Sequence, residues 1–336
     1  MIHELARLLM SKWKEFGCRG RTPGKFHCVL SGGRHRHSKI VVYCVPDSGE
    51  AQPLVVKIQR DDLDLPLLEN EYLQLKTLHR FAGLAEMTNS IPNPLFFGEL
   101  LGRPTLIETY LPGVPFARHS QRRNPRCLLR SFAWLKAFHV RTIRDAGFLA
   151  GERIDRYFLY PVESALRDIN ELQPLAPFLS RFMREVGGLA GLGVPLVFNH
   201  NDLCLNNIRF DGEAIRVIDW EFSQYPGLPL FDVINLFLFF TMTWKKLGYR
   251  EAFILAFAEN NDVSSLLKGL VRDYLRDLNF HRSLVGLLII QYLISRVLLL
   301  RSIGSVAGFE DSLRCLAAVA RGHVDLDRWG EGWPQL

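Results

Sequence analysis

Cysteine is sparse and unpatterned in this chain. Six cysteines are scattered over 336 residues, at positions 18, 28, 44, 127, 204 and 315, with no Cys-x-x-Cys pair or other metal-ligand spacing. That excludes a zinc ribbon and argues against a disulfide-built scaffold. Cys204 has no histidine or metal pattern to mark it as a nucleophile. Nothing at the N-terminus resembles an export signal, so a reducing cytoplasm is the expected location. The longest apolar segment, residues 284 to 300, is interrupted by Gln291, Ser295 and Arg296. It falls short of the roughly 20 residues a spanning helix needs, so it is expected to be a buried helix. Internal repeats and low-complexity tracts are lacking too. No Gly-x-Gly-x-x-Gly pattern occurs, and Gly20 to Phe26 is not a P-loop, because Phe26 follows Lys25 where serine or threonine would hold magnesium.

Hydrophobic content of 48% with charged content of 23% describes a globular chain, and 336 residues suffice for two domains. A net charge of +6 and a pI near 9.0 suit anionic partners such as nucleotide phosphates. The basic residues are spread out, however, and Arg122, Arg123, Arg126 and Arg130 read as a solvated cluster. No nucleic-acid-binding motif is present.

The densest chemistry lies between His200 and Asn207, in the order His200, Asp202, Asn207, followed twelve residues later by Asp219. In-line phosphoryl transfer needs a carboxylate to orient and deprotonate the attacking hydroxyl, and oxygen ligands that hold a divalent metal on the phosphates. Apolar runs flank the segment, Val194 to Phe198 before it and Ile215 to Ile218 after it. This spacing predicts a loop between short strands, with Asp219 delivered at a strand end where it can share a metal with Asn207.

Upstream, Lys57 sits inside the β-branched run Leu54-Val55-Val56-Lys57-Ile58. A buried ammonium needs an anion. Glu71, Leu75 and Leu78 recur at i, i+4 and i+7 of an expected helix, which turns Glu71 inward; Glu69 is a less favoured partner off that stripe. Before Lys57, the stretch Ser31-Gly32-Gly33 lies between two strand-like runs, beside Arg34, His35, Arg36 and His37. Its backbone amides can approach phosphate closely because glycine carries no side chain, although paired glycines also make ordinary hairpin turns.

An opening amphipathic helix carries Leu5, Leu9, Trp13 and Phe16, and strand-like runs with one helix follow up to Tyr110. Leu111-Pro112-Gly113-Val114-Pro115 then breaks the pattern, and the rest reads as mostly helical. The expected division is therefore 1–110, a nucleotide-binding lobe, and 111–336, a catalytic and substrate-binding lobe.

These motifs, in this order, resemble the aminoglycoside phosphotransferase and choline kinase superfamily, small-molecule kinases with a protein-kinase-like fold. The resemblance runs from the glycine stretch to Asp232 and is most specific over residues 200–207 and 218–232. It implies an α+β fold of two lobes, with a small antiparallel sheet in the N-lobe and a larger, mainly helical C-lobe. It also implies ATP or GTP with Mg2+ as cofactors. By the resemblance Asp202 is the catalytic base, Asn207 and Asp219 hold magnesium, and Lys57, paired with Glu71, contacts nucleotide phosphates. His200 would support the loop, and residues 108 to 111, Glu108 and Tyr110 among them, would receive the adenine. Asp232, which precedes an apolar helix, is expected to cap that helix's amides. Glu221 either assists metal or substrate binding or pairs with an arginine.

The expected activity is transfer of a nucleotide's γ-phosphate to a hydroxyl of a sugar, an aminoglycoside-like compound or an amino alcohol. A choline or ethanolamine kinase is an alternative, with Trp220, Tyr225, Trp244, Trp329 and Trp333 available for an ammonium cage. A nucleotide-binding pseudokinase or scaffold without phosphotransfer is another. No nucleic-acid partner and no membrane span are expected.

Overall fold

The computed structural model describes residues 2–32, 39–60, 66–143, 147, 151–189, 191–257 and 261–326. Its strands are β1 (Phe26–Gly32), β2 (Ile40–Pro46), β3 (Leu54–Ile58), β4 (Pro94–Leu100), β5 (Arg103–Thr109), β6 (Val114–Pro115), β7 (Val197–Asn199), β8 (Ile208–Asp211), β9 (Ala214–Val217) and β10 (Gln224–Gly227). Its helices are α1 (Ile2–Ser11), α2 (Leu67–Leu78), α3 (Pro125–Thr142), α4 (Glu152–Ile154), α5 (Tyr160–Asp168) and α6 (Ala176–Gly187), then α7 (Phe231–Lys245), α8 (Tyr249–Phe257), α9 (Asp262–Leu278), α10 (Val285–Ser302) and α11 (Val306–Ala320). They divide into two compact units, Met1–Pro115 with Asn207–Ser223, and Phe116–Asn206 with Gln224–Leu336. Residues 207–223 thus cluster with the first unit although α3 to α6 separate them from it in sequence.

In the first unit, five antiparallel strands run in the order β1-β2-β3-β5-β4. All five residues of the central strand β3 are buried. Alternation divides them between two faces. Leu54, Val56 and Ile58 join the core that Leu5, Leu9, Trp13 and Phe16 build at one side of the sheet. Val55 and Lys57 therefore point to the other face, where Val41 lies opposite Lys57, and Tyr43 and Glu108 lie opposite Val55. A smaller sheet, β6-β8-β9, holds the segment that ends at Asp219.

The second unit is mainly helical and carries the short antiparallel pair β10-β7. Its apolar helix α10 buries ten residues, including Leu288, Leu293 and Ile294, as the segment over 284–300 predicts. Residues Arg282–Ser302 are long and apolar enough to cross a membrane by length and composition, with mean hydropathy 2.1, but 61% of that window is buried within the protein.

Candidate active site

In the first unit, Lys57 and Glu71 meet as their sequence positions predict. The Lys57 ammonium lies 2.5 Å from Glu71 Oε1, and the two side chains are 5% and 0% exposed. The stripe Leu68, Glu71, Leu75, Leu78 is the buried side of α2, so the helix presents Glu71 to the sheet. Glu71 also accepts the Trp220 N–H at 2.9 Å, tying α2 to the turn after β9. Asn70 adds to that tie by donating to the carbonyls of Glu221 and Ser223.

Asp219 follows the end of β9 and holds a left-handed backbone, φ 71°. Aspartate tolerates that region better than most residues, and such conformations concentrate at functional sites. Asp219 Oδ1 stands 3.6 Å from the Lys57 ammonium. Asn207, buried just before β8, accepts the Ile218 N–H through its carbonyl at 2.9 Å, which holds it beside the chain that leads into Asp219.

The sequence alone does not assign four further residues, Glu108, Lys39, Tyr43 and Arg209, to this part of the first unit. Glu108, expected among the adenine-binding residues, turns its buried side chain to Lys57 at 2.9 Å. Its backbone is paired with Val55 on one side and Pro94 on the other. Lys39 bonds Asp219, lies 2.7 Å from Glu221 and 3.6 Å from Glu71, and its side chain is only 13% exposed. Tyr43 and Arg209 meet at 3.4 Å, and Arg209 lies over the Tyr110 ring at 5.8 Å. The available signal was strand period. Residues 39, 41 and 43 share a face of the hairpin, but using it needs the register that sets Val41 opposite Lys57.

The charges are interdependent. Burial pulls the Lys57 ammonium down, but Glu108 and Glu71 together hold it above the ordinary lysine range. Lys39 is likewise lowered by burial and raised more strongly by Asp219, Glu71 and Glu221. For Glu108 burial dominates: its carboxyl is pushed up to about 7 despite the pull of Lys57. Both carboxylates share the one lysine, Glu71 at 2.5 Å and Glu108 at 2.9 Å. Glu221 is raised to about 7 by burial and by Asp219, against the pull of Lys39.

Glu71, Asp219 and Glu221 bring three carboxylate oxygens within 4.8 Å of one another. All-oxygen donors of this kind fit a hard divalent cation such as magnesium. An ammonium among them also shows that the cluster accepts a cation. Beside it, Lys39, Val41, Tyr43, Val55, Lys57 and Tyr110 line part of a cavity of about 70 Å3.

Ser31 and Gly32, expected in a phosphate-approaching turn, are instead the last paired residues of β1, opposite Val41 and Ile40. Gly33 and the neighbouring residues 34 to 37 lie outside the described residues. Tyr110 lies just beyond β5, its N–H donates to the Pro53 carbonyl, and its ring meets Tyr43 edge to face at 6.0 Å.

In the second unit, β7 leads into half-buried Asp202. The loop is fixed from within: Asp202 N–H donates to His200 Nδ1 at 3.3 Å, Cys204 N–H donates to the Asp202 carbonyl, and Leu203 and Leu205 are buried anchors. Asp232 does not cap its own helix as expected. Leu230 occupies the N-cap position of α7, and the fully buried Asp232 carboxylate accepts the N–H groups of His200 at 2.6 Å and Asn201 at 2.8 Å. The amides of a loop brought near by folding outcompete those of the local helix turn. His139 Nε2 lies 3.5 Å behind the same carboxylate, and its Nδ1 meets the Tyr274 hydroxyl at 2.6 Å.

The aromatic residues weighed for an ammonium cage have other duties. Trp220 is fully buried and donates to the Val217 carbonyl in the first unit. In the second, Tyr225 stacks on Phe198 at 5.2 Å, and Trp244 has the Lys245 ammonium 4.0 Å above its ring. Trp329 and Trp333 lie outside the described residues.

An antiparallel sheet with a buried lysine–glutamate pair, together with a mainly helical unit that carries the His200–Asp202 loop, defines a small-molecule kinase of protein-kinase-like fold. The model of the phosphotransferase enzyme family (APH) matches residues 40–274, and the chain belongs to that family. The fold is shared with aminoglycoside phosphotransferase APH(4)-Ia, solved as a thermostable mutant in ternary complex with ADP and hygromycin B: TM-score 0.57, 16% identity, covering 98% of this chain and 100% of that one. It is shared too with amicoumacin kinase hAmiN in complex with AMP-PNP, Ca2+ and Ami: TM-score 0.54, 11% identity, covering 95% and 96%. A putative fructosamine-3-kinase from Thermobifida fusca gives 0.50 at 18% identity, covering 87% and 94%. No curated protein matches the chain by sequence.

Proposed function

We propose that this phosphotransferase moves the γ-phosphate of ATP or GTP, taken as its Mg2+ complex, to a hydroxyl of a small polar molecule. The observation that carries this reading is the buried Lys57 ammonium held by Glu71 and Glu108, with Asp219 3.6 Å away. So costly a burial of charge is worth keeping where a polyanion must be gripped. Lys57 meets the phosphate oxygens, and Glu71 keeps it extended toward them. Asn207 and Asp219 would hold magnesium, with Glu221 and the second oxygen of Glu71, Oε2, as further donors. When bound, the metal offsets charge on the phosphate oxygens. Tyr43 and Tyr110, set edge to face, and the apolar Val41 and Val55 line the side of the cavity that would receive the purine.

Asp202 orients the acceptor hydroxyl and takes its proton. The acceptor oxygen then forms a bond to the γ-phosphorus as the bond to the β-phosphate oxygen breaks, leaving ADP or GDP. Asp232 and His200 keep the Asp202 loop in shape. Arg296 lies within electrostatic reach of Asp202 and keeps its charge: burial pulls it down, but Tyr249, Tyr292 and Asp202 raise it above the ordinary arginine range. A cation there favours a sugar or another uncharged hydroxyl compound over a polycationic aminoglycoside. A cytoplasmic setting, where nucleoside triphosphate is available, goes with this reading.

A panel of sugars, aminoglycosides and amino alcohols, screened with magnesium and either nucleotide for stimulated release of the diphosphate, tests the proposal. Stimulation by at least one neutral hydroxyl compound is expected. Nucleotide binding with no stimulation across the panel would favour a chain that binds but does not transfer.

A further inference from the structure

Lys39 stands where its chemistry conflicts with that of a metal. Its ammonium bonds Asp219, lies 2.7 Å from Glu221 and stands 3.6 Å from Glu71, so it reaches all three carboxylates that could ligate one cation. Those carboxylates are 28%, 16% and 0% exposed. With Glu108 close to Lys57 as well, the cluster needs more positive charge than Lys57 supplies. A magnesium ion would sit about 2.1 Å from its oxygens, and an ammonium cannot keep the same oxygens at the same time. The adjoining cavity, about 70 Å3 and lined in part by Lys39 itself, is small beside the few hundred cubic ångströms that ligand pockets need.

We propose that Lys39 is a built-in substitute for the divalent cation, holding the Glu71–Asp219–Glu221 cluster together until the metal–nucleotide complex displaces it. Lys39 precedes β2, on the face that carries Val41 opposite Lys57, so a short swing of its side chain frees the carboxylates while the ammonium stays beside the phosphate site. The inference rests on the phosphotransferase reading of this site. Metal alone binds weakly because it must evict an ammonium. Metal with nucleotide binds well because the phosphates give the evicted ammonium a new partner.

The test is Mn2+ affinity without nucleotide, read by paramagnetic resonance on the wild type, Lys39→Met and Lys39→Gln. Both variants should bind Mn2+ about tenfold more tightly, the change expected when a competing contact worth about 1.4 kcal/mol is removed. Each should also be less heat-stable than the wild type without metal and recover when Mg2+ is added. Equal or weaker Mn2+ binding by the variants would overturn the proposal. Amine-selective labelling of the wild type, read at Lys39 by mass spectrometry, gives a measurement that does not depend on variants folding. Labelling should speed up on addition of saturating Mg2+, and an unchanged rate would also overturn it. Calorimetry of Mg–AMP-PNP with the wild type separates the two levels. No binding there sinks the nucleotide reading itself, whereas binding with unchanged Lys39 results sinks only the displacement.

Discussion

Replacing Glu71 by alanine tests the arrangement around Lys57 on stability alone, with no assumption about substrate. Glu71 is fully buried, holds the Lys57 ammonium at 2.5 Å and accepts the Trp220 N–H at 2.9 Å. Removing one partner of a buried ion pair costs about 3–5 kcal/mol, because the other charge stays behind uncompensated. Here Lys57 retains Glu108 at 2.9 Å, so the lower end, about 3 kcal/mol, applies. The orphaned Trp220 amide adds about 1 kcal/mol. A total near 4 kcal/mol corresponds to a fall of about 8–16 °C in the melting temperature of the first unit. Glu71→Gln keeps an acceptor for Trp220 and loses only the charge, so it should fall by less. The assay is differential scanning calorimetry of the nucleotide-free protein. A shift under about 2 °C for Glu71→Ala, on the same scale, would mean that the buried pair does not hold the first unit together.

Other predictions follow from the same contacts. Asp202→Asn should keep nucleotide affinity and lose about 100-fold to 10,000-fold in phosphate transfer, the usual worth of a positioned base; turnover near wild type would remove Asp202 from that role. Asp232→Ala deprives the His200 and Asn201 amides of their acceptor, so turnover and stability should both drop, and a variant unchanged in both would refute the tie between α7 and the loop. Glu108 gives a pH dependence whose sign is fixed. Its folded-state carboxyl is raised from 4.5 to about 7, so the folded chain binds the extra proton in that window, and the stability from this group is lost as pH rises through about 7. Melting temperatures measured from pH 5 to 8 should therefore decline less steeply in Glu108→Gln than in the wild type, and parallel curves would contradict the raised carboxyl.

What sequence reveals here depends on how local each signal is. Lys57 in a β-branched run and Glu71 on the apolar stripe of a helix each carry their burial in a few neighbouring residues, and the structure joins them. The segment from Asp202 to Asp219 is equally compact in sequence, and the apolar runs on either side of it form β7 and β9, while β8 arises within the expected loop. Lys39, Tyr43 and Glu108 carry no such local signal, because their placement follows from register. Only the pairing of β2 and β5 onto β3 turns them toward the face that holds Lys57. Asp232 departs from its local signal for a related reason: an aspartate ahead of an apolar helix looks like a cap, but tertiary folding brings the His200 and Asn201 amides to it instead. The expected turn at Ser31 and Gly32 yields to ladder pairing that continues through Gly32.

The central claim is that Asp219, beside Lys57 and Glu71, grips the metal–nucleotide complex. Titrating AMP-PNP by calorimetry into the wild type and into Asp219→Ala, with and without Mg2+, tests it most directly. Tight binding by the wild type is expected only when Mg2+ is present, with that enhancement lost in Asp219→Ala. Equal affinity in the two proteins at every Mg2+ concentration would contradict it.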